Sequence, residues 1–421
     1  MRPARDATMA AIAAGLAGLR AGEIEPMSRA LRAHLRDHVM PFWEEHAWEE
    51  STGTLCTCID DDGALRGRDK WLWSQWRAVW VFSRLHRTLN MGSHWLERAE
   101  RIASCCIRHG WLAREEGWAL VLSGDGEVLR GHESTYTDAF AVYGLVELYR
   151  AAPSEMTQAI GTRSADAAIR QLEQPYDTLP HFPYPVPAGA KPHGVPMMWS
   201  LVLAEVGDAF GEPNYLAVAR RLADEVMRDF LRREDGLIVE LVGLDGSPWP
   251  APRGTAVVPG HVIESMWFQL RVLEIAGDDP ARRAEAMRIL RRHLEFGWDT
   301  AHGGILLARD ADGRAEVGWD HADLKLWWPQ TEALFATLLA WSETGEEAWL
   351  DWYEQLWRLC LAHFVDWVHR EWRQKLNRDL TPWEGVVALP VKDPFHLPRS
   401  LILQIELLER LAVRADTDGR R

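Results

Sequence analysis

Two histidines and an arginine stand where they could move a proton. His261 follows Pro-Gly and His396 follows Pro-Phe, and each is predicted to lie at the start of a helix. The partial positive charge of a helix N-terminus disfavours an imidazolium, so we expect both rings to be neutral near pH 7 and able to act as bases. Arg77 carries a permanent charge and could hold a developing oxyanion through two parallel hydrogen bonds.

Further polar and aromatic residues are expected close to these three. Glu264 lies three residues after His261 on the same helical face, where it could orient that imidazole or accept a sugar hydroxyl. The others fall in the first turns of further predicted helices, and they are Tyr136, Asp138, Trp199, Trp328, Gln330 and Arg399. First turns at a protein surface favour Asp, Ser and Thr, so this mixture predicts a ligand site.

Ordinary structural roles compete with this interpretation. Arg77 could pair with a carboxylate of an outer helix, and Trp199 and Trp328 could belong to the core. His34 and His38 have HxxxH spacing, but the glutamate of the HExxH motif is absent, so we predict no metal there. The sequence also lacks a phosphate-cradling GxxxxGK[ST] segment and a GxSxG nucleophile motif.

The elements that must position these residues repeat along the chain. Four Asp-Gly turns flanked by short alternating runs predict small β-hairpins, and their glycines are Gly63, Gly126, Gly246 and Gly313. Their spacing is about 60 to 70 residues, with one double interval in which the Pro/Gly-rich segment YPVPAGAKP stands for a degraded hairpin. Apolar helices follow these loops, and they are predicted to start near Trp73, Ser134, Pro196, Pro259, Trp327 and Leu397.

Amphipathic helices with charged faces lie between the apolar ones, for example in YLAVARRLADEVMRDFLRRE and ARRAEAMRILRRHLEFGW. Six alternations of an outer helix, a loop and an inner helix predict an all-α fold, an (α/α)6 barrel that forms one domain over residues 1–421. Every hairpin loop precedes an inner helix. We therefore expect all six inner N-termini, with their hairpins, to open on one mouth of the barrel.

Composition excludes several classes of function. The chain has 421 residues, of which 47% are hydrophobic, so it can bury a large core. Its net charge of −15 and the lack of a basic block argue against a nucleic-acid partner. No apolar run is long enough to span a membrane. Five cysteines are too few for a disulfide framework in a chain of this length, which favours the cytoplasm. The 23 tryptophans suit packing between helices or contact with sugar rings.

Six segments of the sequence resemble the N-acylglucosamine 2-epimerase superfamily, which includes cellobiose 2-epimerases and mannose isomerases. They are KWLWSQWRAVWVFSRL, VPMMWSLVLAEVG, PGHVIESMWF, GWDTAHGGILLARDADG, LKLWWPQTEAL and PFHLPR. The resemblance implies an (α/α)6 barrel, often dimeric, that moves a proton at C2 of a free reducing sugar without a metal or redox cofactor. It also implies that His261 and His396 are the acid/base pair and that Arg77 and Glu264 bind substrate.

The resemblance gives two signals about the substrate. PMMWSLVLAE is similar to the renal-type epimerases and lacks the histidine that cellobiose epimerases carry on this helix, whereas Gln330 stands where the renal-type enzymes have histidine. We expect the interconversion of N-acetylglucosamine and N-acetylmannosamine through an enediolate. Aldose–ketose isomerisation of the mannose type is the alternative, because return of the proton to C1 instead of C2 gives the ketose.

Two other classes of function remain open. (α/α)6 barrels also include glycoside hydrolases, for which the acid and base would come from Asp138, Glu264, Asp320 or Glu332. A carbohydrate-binding protein without activity would use the tryptophans but not two opposed bases. In each case the expected ligand is a sugar, with a homodimer as the only protein partner and with no nucleic acid or membrane.

Overall fold

The computed structural model describes residues 2–418, and the side chains of residues 5–414. Its α-helices are α1 (Arg2–Arg20), α2 (Glu25–His34), α3 (Met40–His46), α4 (Leu72–Arg87), α5 (Ser93–Gly110), α6 (Thr135–Ala151), α7 (Glu155–Leu172), α8 (Gly194–Phe210), α9 (Pro213–Glu225), α10 (Pro259–Ala276), α11 (Pro280–Gly297), α12 (Trp327–Thr344), α13 (Glu347–Leu359) and α14 (His396–Asp418). A π-helical turn at Leu35–Val39 joins α2 to α3, and similar turns extend α9 and α13.

Two concentric rings of helices confirm the (α/α)6 barrel. Helices α4, α6, α8, α10, α12 and α14 contact one another in this order, and α14 returns to α4 to close the inner ring. Helices α5, α7, α9, α11 and α13 form the outer ring together with the pair α2–α3, and each packs on the inner helix before it in the ring. Helix α1 is an addition that packs on α2 and α13. The inner helices start within about two residues of the predicted positions.

Helix composition decides which ring each helix joins. Thirteen consecutive residues of α8, from Val195 to Gly207, are buried, as expected for a helix that is apolar on all sides. In α5 the buried residues instead follow helical spacing at Trp95, Ala99, Ile102 and Cys106, and the opposite face is exposed. The first pattern gives an inner helix and the second an outer helix.

Thirteen short strands lie in the loops among the described residues. They are β1 (Trp48–Glu49), β2 (Thr54–Leu55), β3 (Lys70–Trp71), β4 (Trp111–Leu112), β5 (Gly117–Trp118), β6 (Val121–Leu122), β7 (Val128–Arg130), β8 (Ala190–Pro192), β9 (Leu241–Gly243), β10 (Ala256–Val257), β11 (Arg309–Asp310), β12 (Lys325–Leu326) and β13 (Lys375–Leu376). The four predicted Asp-Gly turns are present, because each of their glycines has a positive φ between 76° and 92°.

The strand pairing differs from the local hairpins that these turns predict. Only β6 and β7 form a ladder across one of the four turns in the described chain, whereas β3 pairs with β6, β8 with β9, β10 with β11 and β12 with β13. The first member of each of these four pairs precedes an inner helix, and its partner lies in the next loop. Strands this short have few bonds of their own, so pairing between loops supplies the missing partners.

This pairing continues around the mouth of the barrel. A bridge between Ser134 and His181 joins the second loop to the third. The backbone N–H of Lys392 donates to the carbonyl of Thr57 at 2.8 Å and joins the last loop to the first. All six loops are thereby linked in a ring, which fixes the start of each inner helix relative to its neighbours.

A buried network of charges occupies the opposite end of the inner ring. Arg84 donates to both carboxylate oxygens of Glu406, at 2.8 and 2.7 Å, and to Glu147 at 2.9 Å. Arg150 donates to Glu205 and Arg271 contacts the same carboxylate at 2.9 Å. Because every acid in this set has a basic partner, the network fastens the C-terminal ends of the inner helices without leaving an isolated buried charge.

His34 and His38 lie where α2 meets its π-helical turn, and the buried His34 contacts Trp357 of the outer helix α13. Their rings stack with centroids 5.2 Å apart, and the Nε2 atom of His34 accepts a hydrogen bond from the indole N–H of Trp372 at 3.1 Å. Burial lowers the pKa of His34 to about 3 and that of His38 to about 4. Both rings are therefore neutral in the folded chain at pH 7.

We expect the folded chain to lose stability as the pH falls below about 6.5, because unfolded His34 takes up a proton there while folded His34 does not. In His34→Gln the amide oxygen can accept the Trp372 bond but cannot ionise. The slope of the unfolding free energy against pH should therefore become shallower by about 1.4 kcal/mol per pH unit near pH 5. Urea unfolding between pH 4.5 and 8 measures this slope. An identical slope in both proteins would show that His34 is not the linked group.

Candidate active site

A cavity of about 220 Å³ opens at the mouth of the barrel, between the first turns of the inner helices and the paired loops. Six of the residues selected from the sequence line it, and they are Arg77, Tyr136, His261, Glu264, Trp328 and His396. The other four lie outside its wall, and they are Asp138, Trp199, Gln330 and Arg399. The ring of inner N-termini thus brings together residues that are more than 300 positions apart in the chain.

His396 is held as a neutral base. Its Nδ1 atom lies 2.8 Å from the Glu332 carboxylate, and its Nε2 atom accepts from the Arg77 guanidinium at 3.3 Å. Burial and the adjacent positive charge of Arg77 move the pKa of His396 well below its usual value. With the hydrogen on Nδ1 directed at Glu332, the lone pair on Nε2 points to Arg77 at the wall of the cavity.

The pKa of His261 moves in the opposite direction, against our expectation that the helix N-terminus favours its neutral form. Its Nδ1 atom lies 3.0 Å from the Glu240 carboxylate. Burial alone would lower the pKa of His261, but the charge and hydrogen bond of Glu240 outweigh burial and raise it above its usual value. The helix terminus carries only about half a positive charge, which favours a neutral ring. The full negative charge of Glu240 at 3.0 Å exceeds it.

Glu240 is a residue that the sequence analysis missed. It precedes β9 at the edge of the cavity, and its own pKa falls to about 2 because the pull of His261 overcomes burial. The buried His193 lies 3.6 Å from its second oxygen. A carboxylate within the alternating run LIVELVG was the available signal, because an ionised side chain in a buried strand needs a partner.

Trp328 brings both histidines to one wall of the cavity. Its indole stacks on His261 with ring centroids 5.0 Å apart, and it lies 5.7 Å from the ring of His396. On the outer side Trp319 contacts His261 edge-on at 5.9 Å and Tyr184 at 4.9 Å. The two imidazoles therefore share one aromatic surface of the kind that covers the apolar face of a sugar ring.

Arg77 is fixed with one nitrogen facing the cavity. Its Nη1 atom donates to Asp393 at 3.1 Å, and its guanidinium lies 4.1 Å from the ring of Phe140 and 4.7 Å from that of Phe395. Asp393 belongs to the loop before α14, so the partner of Arg77 is not an outer-helix carboxylate. The Nη2 atom faces His396 and can reach a substrate oxygen beside that ring.

Glu264 does not orient His261, because its partner is Arg399. The Nη2 atom of Arg399 donates to one oxygen of Glu264 and to Glu332 at 2.7 Å. Glu264 still lines the cavity and can accept a sugar hydroxyl there. Arg399 is completely buried behind this carboxylate, which keeps it out of contact with the cavity.

Gln330 and Asp138 hold backbone in place at equivalent positions of the repeat. Each is the fourth residue of an inner helix, as is Gln75 in α4. Gln330 bonds the N–H and C=O of Ile305 at 3.0 and 2.9 Å, and Gln75 bonds Leu55 in the same way. Asp138 accepts the N–H of Trp118 at 2.8 Å. These hydrogen bonds fix the loops at the mouth of the barrel relative to the inner helices.

The remaining tryptophan of the selected set also has a structural contact. Trp199 is buried within α8, and its indole N–H donates to the hydroxyl of Thr135 at 3.1 Å. This bond connects two neighbouring inner helices at their first turns. Its ring lies behind the cavity wall rather than on it.

One cluster among the described residues has the ligand types and spacing of a metal site. Possible ligand atoms of Glu264, Glu332 and His396 all lie within 4.8 Å of one another. Arg399 donates to both carboxylates of this cluster, and Arg77 faces its histidine. The cluster thus already holds its positive charge in two guanidinium groups, which repel a metal cation.

The chain is similar to known sugar epimerases. The family model described as N-acylglucosamine 2-epimerase (GlcNAc 2-epimerase) matches residues 53–397. The N-acylglucosamine 2-epimerase of Homo sapiens is 30% identical over 392 residues, which cover 90% of this chain and 89% of that protein. The cellobiose 2-epimerase of Ruminococcus albus is 24% identical over 400 residues, covering 88% and 96% of the two chains.

The solved structures agree on the fold. The structure of cellobiose 2-epimerase from Bacillus thermoamylovorans superposes with a TM-score of 0.77 at 17% sequence identity, covering 91% of this chain and 99% of that one. Identity this low supports the barrel architecture alone.

We expect Glu240→Gln to lower the pKa of His261 below about 6.5, because burial then acts without the opposing carboxylate. NMR titration of labelled histidines measures the change, with His261→Asn identifying the signal. The matched control is Asp138→Asn, which removes a carboxylate from His132 and should leave the titration of His261 unaltered. A His261 titration that is the same in Glu240→Gln and in the wild type would contradict the assigned pair.

Proposed function

The chain belongs to the N-acylglucosamine 2-epimerase family and is an enzyme that epimerises or isomerises sugars, and we propose that it interconverts N-acetyl-D-glucosamine and N-acetyl-D-mannosamine. The observation that carries the proposal is the pair of carboxylate-bound imidazoles at one cavity, whose pKa values are shifted in opposite directions. His396 offers a lone pair and His261 offers a hydrogen. Epimerisation at C2 needs this combination, because one face of the carbon loses a proton and the other face gains one.

The reaction proceeds on the open-chain sugar, in which C2 is adjacent to an aldehyde. Nε2 of His396 takes the proton from C2, the C–H electron pair forms the C1–C2 double bond, and the carbonyl pair moves to O1. The Nη2–H of Arg77, which lies 3.3 Å from that imidazole nitrogen in the free enzyme, moves to O1 when the sugar binds, which frees the lone pair of Nε2 and stabilises the negative charge on O1. His261 then donates its proton to the opposite face of C2, and the carbonyl at C1 forms again. The reverse reaction exchanges the two roles.

The position of the second proton distinguishes the two members of this reaction class. With an acetamido group at C2 the intermediate is an enolate, and return of the proton to C2 gives the 2-epimer. With a hydroxyl at C2 the intermediate is an enediolate, in which delivery of a proton to C1 and transfer of the O2 proton to O1 would give a ketose instead. The chemical steps before this point are the same. Aldose–ketose isomerisation of the mannose type is therefore the alternative product outcome for the same residues.

The acidic residues argue against a glycoside hydrolase. Of the four candidates for that reaction only Glu264 lines the cavity, and Arg399 holds it. The other acids on the wall, Glu240 and Asp393, are paired with His261 and Arg77. A hydrolase needs one carboxylic acid that can donate and a second carboxylate across the cleft. These pairings instead support an acid and a base made of imidazoles.

We propose a homodimer in the cytoplasm as the state of the enzyme. All five cysteines are free thiols, which is consistent with a reducing compartment. No helix within residues 2–418 has both the length and the apolar character that crossing a bilayer requires. Sedimentation equilibrium of the purified chain tests the dimer.

We expect deuterium from D2O to enter C2 of N-acetylglucosamine and N-acetylmannosamine when either is incubated with the protein. His261→Asn and His396→Asn should each slow epimerisation at least about 100-fold, because each removes one proton-transfer group. Each variant should still exchange the C2 proton of a single epimer, the one whose hydrogen faces the remaining histidine. Proton NMR follows exchange and epimerisation together.

The control for this experiment is His302→Asn, because that side chain is exposed and lies outside the cavity. Mannose incubated in the same way tests the isomerase alternative, which deuterium at C1 with ketose formation would identify. Cleavage of oligosaccharides without exchange would identify a hydrolase, and wild-type rates in both histidine variants would overturn the assigned pair.

A further inference from the structure

We infer that Arg399 is a positioning residue that holds Glu264 and Glu332 side by side as hydrogen-bond acceptors and, together with Arg77, fixes which nitrogen of His396 carries the hydrogen. The inference rests on the proposed function and adds to it a residue that does not touch the cavity. It replaces the expectation that Arg399 binds substrate directly.

The contacts of Arg399 converge on a single nitrogen. Its Nη2 atom donates both to Glu264 and to Glu332, the second at 2.7 Å. Its Nε and Nη1 atoms are buried without a hydrogen-bond partner in the part of the chain that the structure describes. The guanidinium instead lies over aromatic rings, 4.5 Å from that of Phe395 and 5.1 Å from that of Trp267.

Arg84 shows what a buried arginine does when it only fastens helices. It also bridges two carboxylates, but three of its nitrogens donate hydrogen bonds to them. Nε and Nη2 donate to Glu406, and Nη1 donates to Glu147. In Arg399 two nitrogens have no hydrogen-bond partner among the described residues, and the third donates to two carboxylates. This geometry gives up hydrogen bonds and concentrates positive charge at the point where the two carboxylates meet.

A positive charge between Glu264 and Glu332 affects which nitrogen of His396 carries the hydrogen. Oxygens of Glu264 and Glu332 lie within 4.8 Å of one another in a buried site, and two carboxylates in this arrangement share a proton unless a cation separates them. With Arg399 present, Glu332 is free to accept the hydrogen on Nδ1 of His396, and it also accepts the indole N–H of Trp267. Nε2 of His396 is then the basic nitrogen.

Without the guanidinium, the proton shared by the two acids reverses this order. A protonated Glu332 donates to Nδ1 of His396, so the hydrogen of the ring moves to Nε2. Nε2 then carries a hydrogen, so it can neither accept from Arg77 nor take a proton from C2. Arg399 therefore acts on the reaction through the tautomer of His396 and not through contact with the sugar.

The test compares Arg399→Met and Arg399→Lys with the wild type by following C2 proton exchange across pH. Arg399→Met should lower kcat about 100-fold at pH 7 and change KM by less than about threefold, because it disables a proton-transfer group and spares the binding contacts. Its rate should recover as the pH rises and the shared proton is lost. Arg399→Lys keeps the charge and should keep the pH dependence of the wild type.

The matched control is Arg84→Met, which removes a buried arginine from two carboxylates at the other end of the barrel. It should lower the melting temperature and leave the shape of the pH profile unchanged. If Arg399→Met does not fold, the double variant Arg399→Met/Glu264→Gln removes one competing acid as well. It should fold with His396 in the wild-type tautomer.

Nitrogen-15 NMR of His396 gives a readout that does not depend on activity. The wild type should show Nε2 without a hydrogen at pH 7, and Arg399→Met should show that hydrogen on Nε2. A wild-type tautomer together with a wild-type pH profile in Arg399→Met would overturn the inference. A wild-type protein that exchanges no sugar proton would instead overturn the proposed function, while the NMR comparison would still decide the role of Arg399.

Discussion

The chemistry of this barrel depends on two carboxylate–histidine pairs that are alike in geometry and different in surroundings. Nδ1 of His261 lies 3.0 Å from Glu240, and Nδ1 of His396 lies 2.8 Å from Glu332. A carboxylate alone favours the imidazolium, and at His261 it raises the pKa above its usual value. Beside His396 the positive charge of Arg77 is added, and burial together with that charge keeps the ring neutral. One acid and one base thus result from the same pairing.

The fold makes this arrangement possible by fixing where the inner helices begin. Six loops are joined by backbone pairing around the mouth, and Gln75, Asp138 and Gln330 hold three of them at equivalent positions of the repeat. Proton transfer tolerates only small errors in distance, so the rigid ring matters as much as the residues it carries. The chain therefore uses two kinds of polar residue at its helix starts, one to hold backbone and one to face the cavity.

The sequence predicts the barrel and the meeting of His261 and His396 because both follow from periodicity, which needs no knowledge of side-chain partners. It does not predict partners that come from other loops. Glu240 is not among the predicted site residues, because the strand that follows it, β9, pairs with β8 of a neighbouring loop and this pairing is not visible in the sequence. Gln330 is among the predicted binding residues, because its contact with Ile305 is not visible in the helix pattern. The exclusion of Arg399 from the cavity has the same cause, since a first-turn position does not reveal which way a long side chain points.

We expect the two imidazoles at this cavity to differ in protonation before any sugar binds. Neutron diffraction from crystals of the ligand-free protein grown at pH 7 locates the exchanged deuterium atoms on both rings. We predict deuterium on both nitrogens of His261 and on Nδ1 alone of His396. Two singly protonated rings, or a doubly protonated His396, would contradict it.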